Sequence, residues 1–395
     1  MSERTRRFAL AGATLAACLV AADWLLRTAL PVGAMVYRLT PEFHQAYIPG
    51  ASKIFVHRAE NGGDWVRVDV NRDGFRGDAL EPPGAALRIV VYGDSFIASE
   101  FAPIEESFGE RLEAILEARL ARPVEVVNAG VVGFGPGQVA RRMETELAVL
   151  EPALVVLAVT SGNDAGDLMR NKLYRLGHDG RALRNEPDPD PRLDAHFAKR
   201  FPANSGLAQT ARAAWRRLRF LLLGVGDPET PHSAEHLLAR ARRDHRRFVD
   251  EGNDRVENLF ADAWDADIAL DPGARSSRDK RALLEAVLVE VREIAERAEV
   301  PVQVVVLPAA VDAVPEYDAL AIEARLDPDY RARALSEAAV AAARNAKLPT
   351  IDLFDDFEGR AELYYRGGDD HWSPAGQALA AERVAAELLG SGLLR

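Results

Sequence analysis

Short apolar runs that alternate with amphipathic segments constrain the fold of this chain most. Three of them, at residues 87–92, 124–127 and 154–159, are each followed by a stretch of helical periodicity, and two more lie at 302–307 and 350–353. Apolar runs of this length are typical of strands buried on both faces, and strands that alternate with helices form a parallel sheet. We therefore expect an α/β fold with three layers, α/β/α, around a central parallel sheet.

The alternation stops in the middle of the chain, which predicts an insertion. The sequence divides into an N-terminal segment (1–36), a lead-in segment (37–82), the first half of the α/β domain (83–168), a mostly helical insertion (169–277) and the second half of the domain (278–395). Within the insertion we expect a helix from Gly206 to Leu223 that buries Trp215, Leu218, Phe220 and Leu221. The insertion is interpreted as a lid, as an interaction surface for a protein partner, or as helices packed on the sheet edge.

The N-terminus has the order of an export signal. Arg4, Arg6 and Arg7 precede an apolar run over residues 8–22, and this order favours a cytoplasmic N-terminus and an exported body. We expect a retained inner-membrane anchor. A lipoprotein anchored through Cys18, a cleaved signal peptide and a buried helix of a cytosolic protein are the alternatives.

Composition excludes several classes of protein. The formal net charge is −12 and no extended basic face is evident, so we expect no nucleic-acid partner. The single cysteine excludes an internal disulfide and a cysteine-based zinc site. The glycine-rich stretch 128–137 lacks the spacing of a dinucleotide site, and 69–74 copies only half of a calcium loop, because Leu80 stands where an acid is needed. The sequence therefore predicts no cofactor and no metal.

Four short motifs carry the residues of a possible catalytic site. They follow the first three strands or precede the last helix, and they comprise 93–95, 128–137, 162–164 and 369–371. The hydroxyl of Ser95 becomes a nucleophile only when a base takes its proton, and His371 has acidic neighbours that can orient it as that base. The backbone N–H of Gly133 and the side-chain amide of Asn163 can donate to a developing oxyanion. Each motif alone is also typical of an ordinary turn, whereas together they predict one site at one end of the sheet.

The order and setting of these motifs resemble the SGNH (or GDSL) family of serine hydrolases. The resemblance covers roughly residues 70–168 and 278–395, and it implies a flavodoxin-like fold. It also implies that Ser95 is the nucleophile and His371 the base. The oxyanion hole would then consist of the N–H groups of Ser95 and Gly133 and the amide of Asn163. Residues 70–77 are similar to the lead-in of membrane-anchored bacterial members.

The sequence departs from the family pattern at two positions. Phe96 stands where the family name has leucine. The family's acid usually precedes the histidine by three residues, but that residue here is Gly368. Asp369, two residues before His371, resembles the spacing in related alginate acetylation proteins, and Asp370 is the alternative acid.

The resemblance implies an exported enzyme that cleaves carboxylic esters, carrying acetyl or short acyl groups, through an acyl-enzyme. The substrate would be a small molecule or a glycan ester. Transfer of an acetyl group to an envelope or extracellular polysaccharide is the alternative activity, and a non-catalytic scaffold is the third hypothesis.

Overall fold

The N-terminus forms a long helix with no buried residue. The computed structural model describes residues 2–58, 61–188, 205–223, 233–256, 265–314, 325–366 and 369–394. Helix α1 (Glu3–Ala29) begins at Ser2, whose side chain accepts a hydrogen bond from the backbone N–H of Thr5. By length and composition α1 can cross a membrane, with a mean hydropathy of 1.8 over its most apolar window.

The lead-in segment folds into two antiparallel hairpins, which the sequence patterns did not predict. The first pairs β1 (Tyr37–Thr40) with β2 (His44–Tyr47), and the second pairs β3 (Ser52–Val56) with β4 (Trp65–Asp69). Their strands have only four or five residues, too short to show a clear alternation in the sequence.

The first half of the α/β domain follows the predicted alternation closely. Its elements are β5 (Leu87–Tyr92), α2 (Ser95–Ala98), α3 (Phe108–Leu120), β6 (Val124–Asn128), α4 (Pro136–Leu150), β7 (Leu154–Thr160) and α5 (Asp164–Asn171). Pro136 occupies the first position of α4, where its missing N–H costs nothing.

In its described residues, the insertion adds a short hairpin and three helices. They are β8 (Tyr174–Leu176), β9 (Ala182–Arg184), α6 (Gly206–Leu223), α7 (Ala234–Val249) and α8 (Ala266–Leu270). The expectation that α6 buries its large apolar residues is wrong: Trp215, Leu218 and Leu221 are exposed and Phe220 is only half-buried. Helical periodicity shows that these residues share a region of the helix surface, but not what covers it.

The second half completes the sheet. Its elements are α9 (Arg275–Arg297), β10 (Val302–Leu307), α10 (Ala310–Ala313), α11 (Ala334–Asn345), β11 (Thr350–Asp352), α12 (Phe354–Phe357) and α13 (Pro374–Ser391). The five strands pair in parallel in the order β11-β10-β7-β5-β6. The predicted α/β fold with a central parallel sheet is therefore confirmed.

The hydrophobic core lies on both faces of this sheet. Successive side chains of β5 alternate: Val90 and Tyr92 pack into one apolar cluster, and Ile89 and Val91 pack into the other. All four are fully buried. Burial on both faces explains why residues 89–92 of this strand are apolar without alternation.

Candidate active site

The sheet order brings three of the predicted motifs to one place. Strand β5 lies between β6 and β7, and all three run in the same direction. Ser95 follows β5, Gly133 follows β6 and Asn163 follows β7. The loops at the carboxyl ends of neighbouring parallel strands form a common crevice, so Ser95 stands between the loops of Gly133 and Asn163.

Tight backbone packing fixes Ser95 at the start of α2. The carboxylate of Asp94 caps this short helix by accepting from the N–H of Phe96. A side-chain carbon added at Gly130 would lie 2.3 Å from the backbone nitrogen of Ala98. The loop after β6 therefore approaches α2 so closely that only glycine fits, and Ser95 is held against the neighbouring loop.

Ser95, His371 and Asp369 form a continuous hydrogen-bonded chain. Nε2 of His371 lies 2.7 Å from Oγ of Ser95, and Nδ1 of His371 lies 2.7 Å from Oδ1 of Asp369. An ionised carboxylate only accepts hydrogen bonds, so Nδ1 carries the proton and Nε2 of the neutral ring is left to accept one from the serine hydroxyl. This is the tautomer that a general base needs.

The geometry distinguishes the two candidate acids. Asp370 is 3.8 Å from Nδ1 of His371, beyond hydrogen-bond distance, and its side chain is 46% exposed against 13% for Asp369. Burial alone would raise the pKa of Asp369, but the hydrogen bond and charge of His371 outweigh it and hold that pKa below its ordinary value. Asp369 is thus poised to stay ionised beside the ring.

Aromatic rings enclose the imidazole of His371. The ring of Phe101 lies 4.0 Å from it and that of Phe96 lies 5.0 Å from it, measured between centroids. These contacts restrict rotation of the ring and screen it from water. Phe96, the departure from the family's leucine, therefore has a position at the site.

The lead-in segment holds Phe101 in place, which sequence reasoning missed. The backbone carbonyl of Phe101 accepts a hydrogen bond from the hydroxyl of Tyr365 at 2.8 Å, and Nε2 of His57 contacts the same oxygen at 2.5 Å. The buried guanidinium of Arg76 donates to the carbonyls of Ala98 and Ala102. His57 and Arg76 thus fix the loop between Ser95 and α3 from the lead-in segment, and Tyr365 fixes it from within the α/β domain.

Gly133 occupies a tight turn that another lead-in residue, Gln45, restrains. The N–H of Phe134 donates to the carbonyl of Val131 at 3.1 Å, and Gly133 has a φ of +77°, as the third residue of a type II turn requires. The side-chain amide of the fully buried Gln45, on β2, donates to the carbonyl of Val132. That carbonyl and the N–H of Gly133 belong to one peptide plane, so Gln45 fixes the direction of the Gly133 N–H.

Asn163 is the residue before α5, and hydrogen bonds from the insertion hold its loop in place. The backbone N–H of Asp265 donates to the carbonyl of Gly162 at 2.6 Å, and its carboxylate accepts from the N–H of Gly166 at 2.8 Å. Lys280, fully buried, lies 2.8 Å from the carboxylate of Asp265. Among the described residues, the buried Oδ1 of Asn163 has no hydrogen-bond partner.

Buried carboxyls behind Ser95 limit the negative charge near it. Burial raises the pKa of Asp94, and burial together with the charge of Asp94 raises the pKa of Asp164 well above its ordinary value. Asp164 thus keeps its proton to a higher pH than usual. A less negative surrounding favours a site where an oxyanion is to form.

The structure brings Ser95, His371 and Asp369 into direct contact, and it places Gly133 and Asn163 on the two flanking loops. It leaves Asp370 at the rim.

In the described part of the chain, Asp369, Asp370 and His371 also lie close enough together to hold a metal ion, with ligand atoms within 4.8 Å. Both ring nitrogens of His371 are, however, engaged by Ser95 and Asp369, which does not fit a metal ligand.

The C-terminal part of the chain matches a known family. Residues 251–394 match the family described as "SGNH hydrolase-like domain, acetyltransferase AlgX". The matched range contains Asp369, Asp370 and His371, and Ser95 lies before it. No curated protein matches the chain.

Several solved structures are similar over most of the domain. TesA is 14% identical, with 76% of this chain and 97% of that chain covered at a TM-score of 0.37. The lipase/acylhydrolase from Enterococcus faecalis is 15% identical, with 77% and 96% covered at a TM-score of 0.34. A catalytic mutant of Axe2, an acetylxylan esterase from Geobacillus stearothermophilus, is 12% identical, with 77% and 95% covered at a TM-score of 0.37.

Proposed function

We propose that the chain carries a domain of the SGNH hydrolase type and is an exported, membrane-anchored enzyme that moves acyl groups through an ester on Ser95. The observation that carries this proposal is the pair of 2.7 Å contacts that join Ser95 Oγ, His371 and Asp369. Hydrogen-bond contact between nucleophile and base, with the base oriented by an acid, is the arrangement that acyl transfer through a serine requires.

The first half-reaction forms the acyl-enzyme. Oγ of Ser95 attacks the ester carbonyl carbon while Nε2 of His371 takes the hydroxyl proton, and the carbonyl electrons move to oxygen. The tetrahedral intermediate collapses, the bond to the alcohol breaks, and His371 returns the proton to the leaving oxygen. Asp369 stabilises the imidazolium between these two steps and holds the ring in place.

The developing oxyanion would be bound by the N–H groups of Ser95 and Gly133 and by the side-chain amide of Asn163. The positions of the three loops around Ser95 support this assignment. Donors held in advance by the protein stabilise the transition state without reorganisation.

The second half-reaction decides between two activities. With water as the acceptor, the enzyme hydrolyses acetyl or short acyl esters, and this is the function that we propose first. The alternative acceptor is a hydroxyl of an envelope or extracellular polysaccharide, which makes the enzyme an O-acetyltransferase. The name of the matched family and the short spacing between Asp369 and His371 favour this alternative.

Two assays on purified full-length protein separate these outcomes. In the first, p-nitrophenyl acetate is the substrate, and Ser95→Ala is compared with Ser391→Ala, which changes a serine at the end of α13. We expect a loss of about 10⁶-fold in kcat for Ser95→Ala and parent activity for Ser391→Ala. Hydrolysis by Ser95→Ala at the parent rate would show that Ser95 is not the nucleophile.

In the second assay, the same acetyl donor is supplied together with an acidic polysaccharide, and the glycan is analysed by mass spectrometry. An acetyl gain that requires Ser95 supports the transferase. Donor turnover without any gain in glycan mass supports the hydrolase.

The membrane anchor of the proposed enzyme is α1. The basic residues Arg4, Arg6 and Arg7 at its start favour retention of that end in the cytoplasm. Alkaline phosphatase fused to the C-terminus tests this orientation, because the phosphatase folds only after export. We expect activity in intact cells, and an inactive fusion would refute export of the catalytic domain.

A further inference from the structure

Helix α6 of the insertion has three distinct faces. One face packs on the protein: Gly206 and Ala213 are buried, and Ala213 shares a small apolar cluster with Val32 and Ile54. Arg217 on the same side donates to the backbone carbonyl of Gly63 at 3.0 Å. These contacts show that this face of α6 is packed against the rest of the protein.

A second face is apolar and exposed. With 100° of rotation per residue, one set of side chains falls within about a third of the helix circumference. These residues are Ala211, Ala214, Trp215, Leu218, Leu221 and Leu222. Trp215, Leu221 and Leu222 are 64%, 70% and 71% exposed, a degree unusual for large apolar side chains that follow one another along a helix.

A third face is basic and borders the apolar one. Arg212, Arg216 and Arg219 recur at spacings of four and three residues, so they form a row along the helix. Arginine beside a strip of tryptophan and leucine is typical of helices that lie in the headgroup region of a membrane, where the guanidinium groups reach lipid phosphates.

The start of α6 is fixed to the end of the apolar helix α1. The carboxylate of Asp23 accepts hydrogen bonds from Oγ of Ser205 at 2.7 Å and from the N–H of Leu207 at 3.1 Å. Asp23 also pairs with Arg27 one turn later in α1, at 2.8 Å. These polar residues mark the level at which a membrane-spanning α1 leaves the hydrocarbon, so α6 begins at the bilayer surface.

We propose that α6 is an interfacial helix that rests its apolar face in an anionic bilayer, with the exposed Arg212 at the lipid phosphates. The proposal rests on the membrane anchor of the proposed function. Continuity with α1 and the charge of Arg212 beside the apolar face select lipid, rather than another protein, as the occupant of this face. Through Arg217 and the β3–β4 hairpin, α6 also connects the membrane to the segment that holds Phe101 against His371.

Spin labels on the full-length protein in vesicles test the proposal. The protein is reconstituted into phosphatidylethanolamine–phosphatidylglycerol vesicles, and Cys18 is replaced by serine in all variants except the one that reports on α1. Labels are introduced through Leu218→Cys on the apolar face and Arg212→Cys on the basic face. Val149→Cys, an apolar residue of α4 that is 72% exposed, is the matched control.

The readout is the accessibility of each label to oxygen relative to a water-soluble nickel complex. We expect a several-fold higher ratio at position 218 than at positions 149 and 212. Exchange of phosphatidylglycerol for phosphatidylcholine should lower the ratio at 218, because Arg212 then loses its anionic partners.

The label on the native Cys18 tests whether α1 spans the membrane, separately from whether α6 rests in the bilayer surface. A lipid-exposed label at 18 with a water-exposed label at 218 overturns the role of α6 and leaves the anchor intact. A water-exposed label at both positions refutes the anchor and, with it, this proposal. Spin–spin broadening at 218 that disappears on dilution with unlabelled protein would show a second copy of the chain on this face and would likewise overturn the proposal.

Discussion

Replacement of Gln45 by alanine tests how the lead-in segment acts on the site. Gln45 lies 88 positions before Gly133 in the sequence. Its side-chain amide donates to the carbonyl of Val132, in the peptide that carries the N–H of Gly133. In Gln45→Ala this peptide loses its restraint, and the turn can relax from type II to type I by rotation of its central peptide.

The structure sets the expected magnitudes. Removal of a hydrogen bond to a buried group costs about 1–3 kcal/mol in the free energy of unfolding. Loss of one oxyanion donor lowers kcat by about 10²–10³-fold, so a Gly133 N–H turned away from the site should produce a loss of this order. KM should change little, because the lost interaction forms only in the transition state.

The assay is steady-state ester hydrolysis together with denaturant unfolding of the same preparations. Gln303→Ala is the matched control. Gln303 is also buried and its amide donates to the carbonyl of Val304 at 3.0 Å, but it lies near the start of β10, at the opposite end of the sheet. We expect a comparable loss of stability in both variants and a loss of kcat only in Gln45→Ala. A folded Gln45→Ala protein with the kcat of the parent would refute the reasoning.

Three further predictions follow from the described contacts. Asp369→Asn should lower kcat by about 10⁴-fold and Asp370→Asn only slightly, as measured by ester hydrolysis, because only Asp369 holds Nδ1 of His371; equal losses would contradict the assignment. Burial raises the pKa of Asp312 to about 6 from 3.8, so ionisation of this carboxyl lowers the free energy of unfolding as the pH rises from about 4 to about 6. Asp312→Asn should therefore raise the free energy of unfolding by about 3 kcal/mol above that range and leave it unchanged below it. An increase that is the same at every pH would count against this prediction. Lys280→Met leaves the carboxylates of Asp265 and Asp267 without their shared cation. The free energy of unfolding, measured with denaturant, should fall by about 3–5 kcal/mol at neutral pH and recover in part in acid, where these carboxylates bind protons. A variant as stable as the parent at neutral pH would rule this out.

Local patterns were sufficient to predict the α/β domain. The strands β5, β7 and β10 are mostly apolar runs, and β5, β6 and β7 each end at a motif with a candidate site residue. Because parallel strands present their carboxyl ends at one edge, the grouping of Ser95, Gly133 and Asn163 follows from strand order alone. The assignment of catalytic roles to these residues stays a prediction.

The supporting contacts could not be predicted, because they join residues that are distant in the sequence. Gln45, His57 and Asp265 each act on a backbone group that lies in another segment, and a buried glutamine or aspartate carries no local signal of its partner. The exposed apolar face of α6 was missed for a related reason. A helix of mixed arginine and leucine shows the same periodicity whether its apolar side meets protein or lipid.

The most direct test of the central claim is covalent labelling with a fluorophosphonate, followed by intact-protein and peptide mass spectrometry. We expect the parent to take up a single probe on Ser95 and to lose ester hydrolysis in parallel. We expect Ser95→Ala and His371→Ala to remain unmodified. A parent protein that stays unlabelled at Ser95 while it hydrolyses esters would show that Ser95 is not the nucleophile, and one that neither labels nor hydrolyses would support the scaffold hypothesis instead.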